Sequence, residues 1–331
     1  MDCKVLISIK AILFGVTESV IGNLDVGNNY EIKKDNMLSN ELLKEFDYTT
    51  FGIRRIYEGA KINEDLDVAM LTKSIELMSP IVKYVDKDGI CVDGISLYEY
   101  ADNLENAEVE YIDKKMRLIR LFCENSFNIK ELLFNVYFVD KEGKKSLYSS
   151  SKRPFPDVVY GDISKLSLAD KDTIYSINKF LCTIDLSFPN SKFDSEKLES
   201  ACFLYDQTYT ASVLTLRFMA GVVGIESLMV NDGVKGDLSY RFSRNCAMLL
   251  SNNEDEYMDL KKKLSKIYDL RSKYVHCANV KKLDEIYTLE VRNILRNVIF
   301  KIVELNIDKK TLLDRIDLKG YIVGCNDLST K

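Results

Sequence analysis

The chain has 331 residues, of which 46% are hydrophobic and 29% charged. That is enough for about two domains at roughly 150 residues each, and it excludes a disordered tail, a collagen-like chain and a disulfide-held miniprotein. A net charge of −5 excludes a generally basic nucleic-acid coat.

The chain opens on MDCKVLISIKAILFGV, in which Val5, Ile7, Ile9, Ala11 and Leu13 alternate with a more polar set. Period two predicts a strand. The acidic start and Lys10 argue against a signal peptide. Further strands are expected at Asn29–Lys33, Gly52–Tyr57, Ile81–Val85 and Leu132–Asp140. Gly-Asn, Asp-Gly, Asp-Gly and Glu-Gly pairs at 22–23, 88–89, 93–94 and 142–143 read as hairpin turns between them. One helix is expected near Glu64–Met78. All four prolines lie at or before Pro189, and the segment SFPNSKFD around Phe188–Phe193 has the composition of a linker. The boundary is therefore set at 190, between a mixed α/β domain (1–190) and a helical one (191–331).

Beyond it, Leu198, Cys202, Tyr205, Tyr209, Ser212, Leu216, Ala220 and Val223 recur at helical spacing. They predict one helix, capped by Asp194 or Ser195 and closed by Asn231-Asp232-Gly233. A second helix is expected from Asp237 to Leu250, a third from Glu254 to about His276–Asn279, and a fourth from Leu283 to Leu305. Four such helices with short connections make a bundle, with a short helix or strand after Asn306. The fold class is thus α+β. Val213–Val230 is apolar but carries Arg217 and Glu226, which argues against a membrane span.

The eight cysteines are scattered without a C-x-x-C pair, and there is a single histidine. No zinc site and no cofactor is implied, and the thiols fit a reduced, cytoplasmic protein. That histidine, His276, closes the stretch YDLRSKYVH, five residues after Arg271. Residues 195–331 carry a net charge of +2 where residues 1–194 carry −7. Between Leu260 and Lys282 eight basic residues stand against Asp269 alone. Such a patch attracts phosphate. Its lysines Lys261, Lys262, Lys263, Lys266 and Lys273 serve either as an RNA-binding surface or as a solvated helix face.

GIESLMV (224–230), LSYRFSRNCAMLL (238–250) and IYDLRSKYVH (267–276), in that order, resemble the HEPN superfamily, in particular its Apea-like domain. The resemblance covers about 198–305. It implies a helical bundle and metal-independent RNA cleavage at a site built across a homodimer of the helical domain, of the kind used in anti-phage defence or as a regulated toxin. It assigns His276 as general acid/base, a role for which imidazole suits neutral pH. It assigns Arg271 to the scissile phosphate, and Ser272 to the polar position after the arginine. Arg241, Arg244 and Glu226 fall in the other matching segments as supporting candidates. Serine at 272, and Cys277 where a glycine commonly follows the histidine, depart from the family pattern. On a straight helix Arg271 and His276 stand about 140° apart, so they converge only if the helix unwinds at its end or a second subunit supplies the partner. Two other readings stay open. One is a non-catalytic HEPN module that binds RNA or nucleotides or dimerises. The other is an interaction protein whose N-terminal domain meets an unidentified partner or trigger.

Overall fold

A computed structural model describes residues 4–36, 39, 45–46, 60–77, 96–158, 164–231, 236–276 and 283–319. The chain divides into two compact units, Met1–Thr183 and Ile184–Lys331. The SFPNSKFD segment therefore opens the second unit, and the division falls ahead of residue 190. The architecture is α+β: a six-stranded antiparallel sheet in the first unit and a helical second unit.

In the first unit, strands β1 (Lys4–Phe14), β2 (Glu31–Asn36), β3 (Asp67–Leu77), β5 (Glu131–Val139) and β6 (Lys145–Pro154) lie in the order β2-β3-β1-β5-β6. The two-residue β4 (Asn128–Ile129) pairs with the end of β1. The alternation read in β1 puts Ile7 opposite both Ile75 and Val136 at the centre of the sheet. Glu142-Gly143 turns β5 into β6, with Gly143 at φ 81°, a left-handed conformation that glycine adopts without strain. Gly22-Asn23 instead follows a single 3-10 turn at Glu18–Val20 and joins no hairpin. The strands expected at 52–57 and 81–85, and the turns at 88–89 and 93–94, lie outside the described residues.

The helix expected at Glu64–Met78 is a strand. Leu66 takes φ 62°, which breaks any helix before Asp67, and β3 then sits between β2 and β1. Val68, Ala69, Met70 and Leu71 are all buried, so the apolar residues cover both faces of a central strand and hide its period of two. Helix α1 (Leu97–Phe122) went unmarked in the sequence. Ser96 caps it by accepting from the Glu99 N–H, and it buries Leu97, Ala101, Ile112, Met116 and Ile119. Its buried stripe also contains Glu105 and Glu108, and those charges interrupt the apolar pattern. Glu108 is paired with Lys73 of β3 and accepts hydrogen bonds from Tyr30 and Asn28. Helix α2 (Lys171–Thr183) completes the unit.

The second unit holds six helices among the described residues: α3 (Ser195–Thr210), α4 (Leu214–Met229), α5 (Leu238–Leu250), α6 (Glu254–His276), α7 (Glu285–Leu305) and α8 (Lys309–Lys319). Asp194 caps α3 through the Lys197 N–H. The single helix expected from Ser195 to Asn231 is broken at Ala211–Val213. There Arg217 turns back to donate to the carbonyls of Ala211 (2.7 Å) and Ser212 (3.4 Å), satisfying backbone oxygens that a continuing helix would have used. Gly221 and Gly224 let α4 lie close against α7, since a Cβ at either would meet Val291 or Leu295. Arg292 of α7 donates to the Thr208 hydroxyl and carbonyl of α3 and lies 3.9 Å from the Tyr209 ring centre. Tyr205 and Tyr209 join hydroxyl to hydroxyl at 3.0 Å. Among the described residues no helix is long and apolar enough to cross a membrane.

The Lys73–Glu108 pair ties α1 to the sheet in a nearly solvent-free setting. Truncating one partner leaves a buried charge unpaired, at a cost of about 3–5 kcal/mol. Glu108→Ala is therefore expected to lower the denaturant midpoint by that equivalent, as chemical denaturation followed by circular dichroism will measure.

Candidate functional site

Helix α6 carries the site. Asn253 accepts from the Glu256 N–H at its start. Glu254, Asp255 and Glu256 fill the first turn, and Lys273 and His276 the last. Both ends complement the helix dipole. Along the helix two stripes diverge. Tyr257, Leu264, Ile267 and Tyr268 are buried against the bundle, and Arg271 continues their stripe. Lys262, Lys266, Asp269, Lys273 and His276, at intervals of four, three, four and three, are all exposed. The α-helix persists through His276. Arg271 and His276 thus lie on opposite faces of one continuous helix, about 7.5 Å apart along its axis.

Arg271 is 23% exposed and faces Glu226 of α4, which is 21% exposed, with Nη2 3.5 Å from Oε2. That is long for a charge-assisted pair, which ordinarily closes to about 2.7–2.9 Å. The guanidinium carbon stands 5.5 Å from the ring centre of Tyr268, one turn back. Its Nε is buried and has no hydrogen-bond partner among the described residues. Buried donors are nearly always met in folded proteins, so this fork has unspent capacity for an acceptor. Burial, and secondarily the negative Glu226, push the Tyr268 phenol above its ordinary value, with Arg271 opposing. Phe242 and Phe218 wall the region, with ring centres 5.2 Å from Tyr268 and 6.2 Å from Tyr274.

The structure brings Arg271 and Glu226 together and separates the other named residues. His276 is on the outer face. Ser272 is half-exposed beside Arg271. Arg244 is committed elsewhere: it is paired with Asp317 and donates to the Ile316 carbonyl, so it holds α8. Arg241 is half-exposed on α5, with no side-chain partner among the described residues. Lys261 lies 5.2 Å and 5.5 Å from the ring centres of Tyr240 and Tyr257, and Lys263 pairs with Glu290 at 3.0 Å. Lys262, Lys266 and Lys273 have no ion-pair partner among the described residues, so the outer stripe presents three uncommitted ammonium groups. Tyr268 was not singled out in the sequence. Its signal was an aromatic three residues before an arginine on a helix, which places ring and guanidinium in contact. Among the described residues no three His, Cys, Asp or Glu side chains gather to hold a metal ion.

No family model, no curated protein and no solved structure matches this chain.

The cluster predicts an alkaline titration. The Tyr268 phenol should ionise above the ordinary tyrosine value of about 10. Because a nearby negative charge disfavours phenolate, Glu226→Gln should bring that ionisation down. Ultraviolet difference titration against Tyr268→Phe, in both backgrounds, reads the two effects. A Tyr268 phenol ionising at or below 10 would contradict the arrangement.

Proposed function

We propose that this chain is a HEPN-type endoribonuclease that works as a homodimer of its helical unit. The carrying observation is the outer stripe of α6, where the only histidine of the chain stands in line with Lys262, Lys266 and Lys273, interrupted by Asp269 alone, over about 21 Å of helix; the three lysines have no ion-pair partner among the described residues. A polyanion laid along this stripe meets the lysines as phosphate contacts and reaches His276 at its end. In the proposed reaction His276 takes the proton from an RNA 2′-hydroxyl. The 2′-oxygen attacks phosphorus, the bond to the 5′-oxygen breaks, and that oxygen receives a proton. The products are a 2′,3′-cyclic phosphate and a 5′-hydroxyl. Arg271 holds the phosphate oxygens with its planar fork. Since the two groups diverge on one helix, the arginine of one protomer is taken to serve the histidine of the other.

The docking face for the second copy is assigned to α4. Leu216 (56% exposed) and Val223 (39% exposed) stand seven residues apart on one side of it, with Met219 and Ala220 between them. Between 211 and 225 the only charged residue is the inward-facing Arg217, so this face suits an apolar partner and offers nothing to RNA. The stripe ends beside Glu226, next to Arg271, where a second copy would sit against the site.

One observation favours a second reading, a non-catalytic RNA-binding module. Arg271 lies on the inner face with a carboxylate already facing it, which is also where a structural arginine would be. RNA cleavage in EDTA separates the two. Wild type is expected to cut, leaving cyclic phosphate ends, and Arg271→Ala and His276→Ala each to lose at least about 100-fold. Cleavage that persists in His276→Ala would reject the enzyme, and binding by wild type without cleavage would favour the module. Separately, Leu216→Glu is expected to give a monomer by analytical ultracentrifugation and to lose cleavage with it.

A further inference from the structure

We propose that Glu226 is a positioning residue of this site: a resident counter-ion that holds Arg271 against the bundle and yields it to an incoming RNA phosphodiester. The inference rests on the phosphate-binding role given to Arg271 above and names what controls it.

Other arginines of the same unit show what a structural arginine looks like here. Arg292 is buried and donates from Nε and Nη2 to Thr208 at 2.9 Å and 2.6 Å. Arg217 is buried and donates from Nε at 2.7 Å to a helix-end carbonyl. Arg244 has both a carboxylate and a carbonyl. In each case the fork is spent on close acceptors. Arg271 differs on both counts, with one long contact to Glu226 and a buried Nε that has no hydrogen-bond partner among the described residues. In Arg217 and Arg292, which serve structure, that donor is bonded. An arginine awaiting a bidentate acceptor leaves it open, because the acceptor arrives with the ligand.

Glu226 is built to let go. It sits at the rim of the exposed side of α4, a fifth of its side chain is open to water, and its contact with Arg271 is single and long. A carboxylate so placed can swing to solvent without leaving a buried charge behind. While it stays, it cancels the positive charge that would draw a phosphate. It also keeps the guanidinium over Tyr268, where Nε is shielded from water. Exchange of one monoanion for another at a single cation then engages the site. A phosphodiester wins that exchange by taking two donors of the fork where Glu226 takes one. Lysine at 271 could hold the carboxylate equally well but could not offer the second donor.

The test is binding of a mixed-sequence, single-stranded 2′-O-methyl RNA, whose blocked 2′-oxygen prevents cleavage, by the full chain. Glu226→Gln should tighten Kd about fivefold, the equivalent of about 1 kcal/mol. Arg271→Ala should weaken binding, and adding Glu226→Gln to it should recover less than twofold. Glu226→Asp, which keeps the charge, should stay within twofold of wild type. An equal gain in both backgrounds would make the effect general electrostatics and overturn the proposal. So would the absence of any gain, a gain in Glu226→Asp equal to that in Glu226→Gln, or the absence of binding by wild type and Glu226→Gln alike. A wild type that binds but does not cut in EDTA would remove the enzyme reading while leaving this coupling measurable.

Discussion

The helical repeat of α6 is the constraint on which the site depends. At 3.6 residues per turn, a spacing of five cannot put two side chains on one face, and the helix runs unbroken through His276. One member of the Arg271/His276 pair must therefore face the bundle and the other solvent. The buried residues Leu264, Ile267 and Tyr268 decide which, since they fix the inner face and Arg271 follows them by one turn. The arginine consequently inherits a partly dehydrated setting with a carboxylate and an aromatic ring. The histidine inherits a wet setting with lysines. Desolvation strengthens the arginine's attraction for any anion that reaches it.

Buried polar groups do different work in the two units. In the first, Glu108 gathers Lys73, Tyr30 and Asn28, so one helix side chain fixes α1 to the sheet and to the loop before β2. In the second, Arg217 and Arg292 spend their donors on the end of α3 and so define where that helix stops and how α4 and α7 pack on it. These anchors specify register as much as they add stability, because a shifted helix would leave a charge without its partner. Arg271 differs from Arg217 and Arg292 in leaving its buried Nε without a hydrogen-bond partner among the described residues.

How much of this was legible in the sequence depended on whether a pattern was local. Strand β1 shows a period of two over Ile7–Ala11 before it turns apolar on both faces, and α6 and α7 show clean helical stripes. Residues Val68–Leu71 are apolar on both sides, and only the left-handed turn at Leu66 and the pairing with β1 make them a strand. The break at Ala211–Val213 is invisible because the apolar spacing continues across it, and what ends α3 is a side chain six residues further on. Helix α1 was missed because Glu105, Glu108 and Arg120 occupy its buried face, where composition suggests solvent. Within the site, the lone histidine and the local density of lysine marked α6 directly. The facing of Arg271 to Glu226, its contact with Tyr268 and the diversion of Arg244 to α8 depend on tertiary neighbours that no spacing along the chain encodes.

Charge ties these features together. The whole chain is acidic, so at long range it does not draw RNA. At physiological salt, however, charges more than about 8 Å apart are largely screened. What a polyanion would sense near α6 is therefore Lys262, Lys266, Lys273 and the Asp269 between them, rather than the total. Lys263 is already neutralised by Glu290, and Lys261 rests over two tyrosine rings. The α6 lysines without an ion-pair partner among the described residues thus lie on the single stripe that ends at His276. Attraction along that stripe would be independent of sequence, since contacts to phosphate read no base. A polyanion would therefore feel this acidic chain's basic track only on close approach.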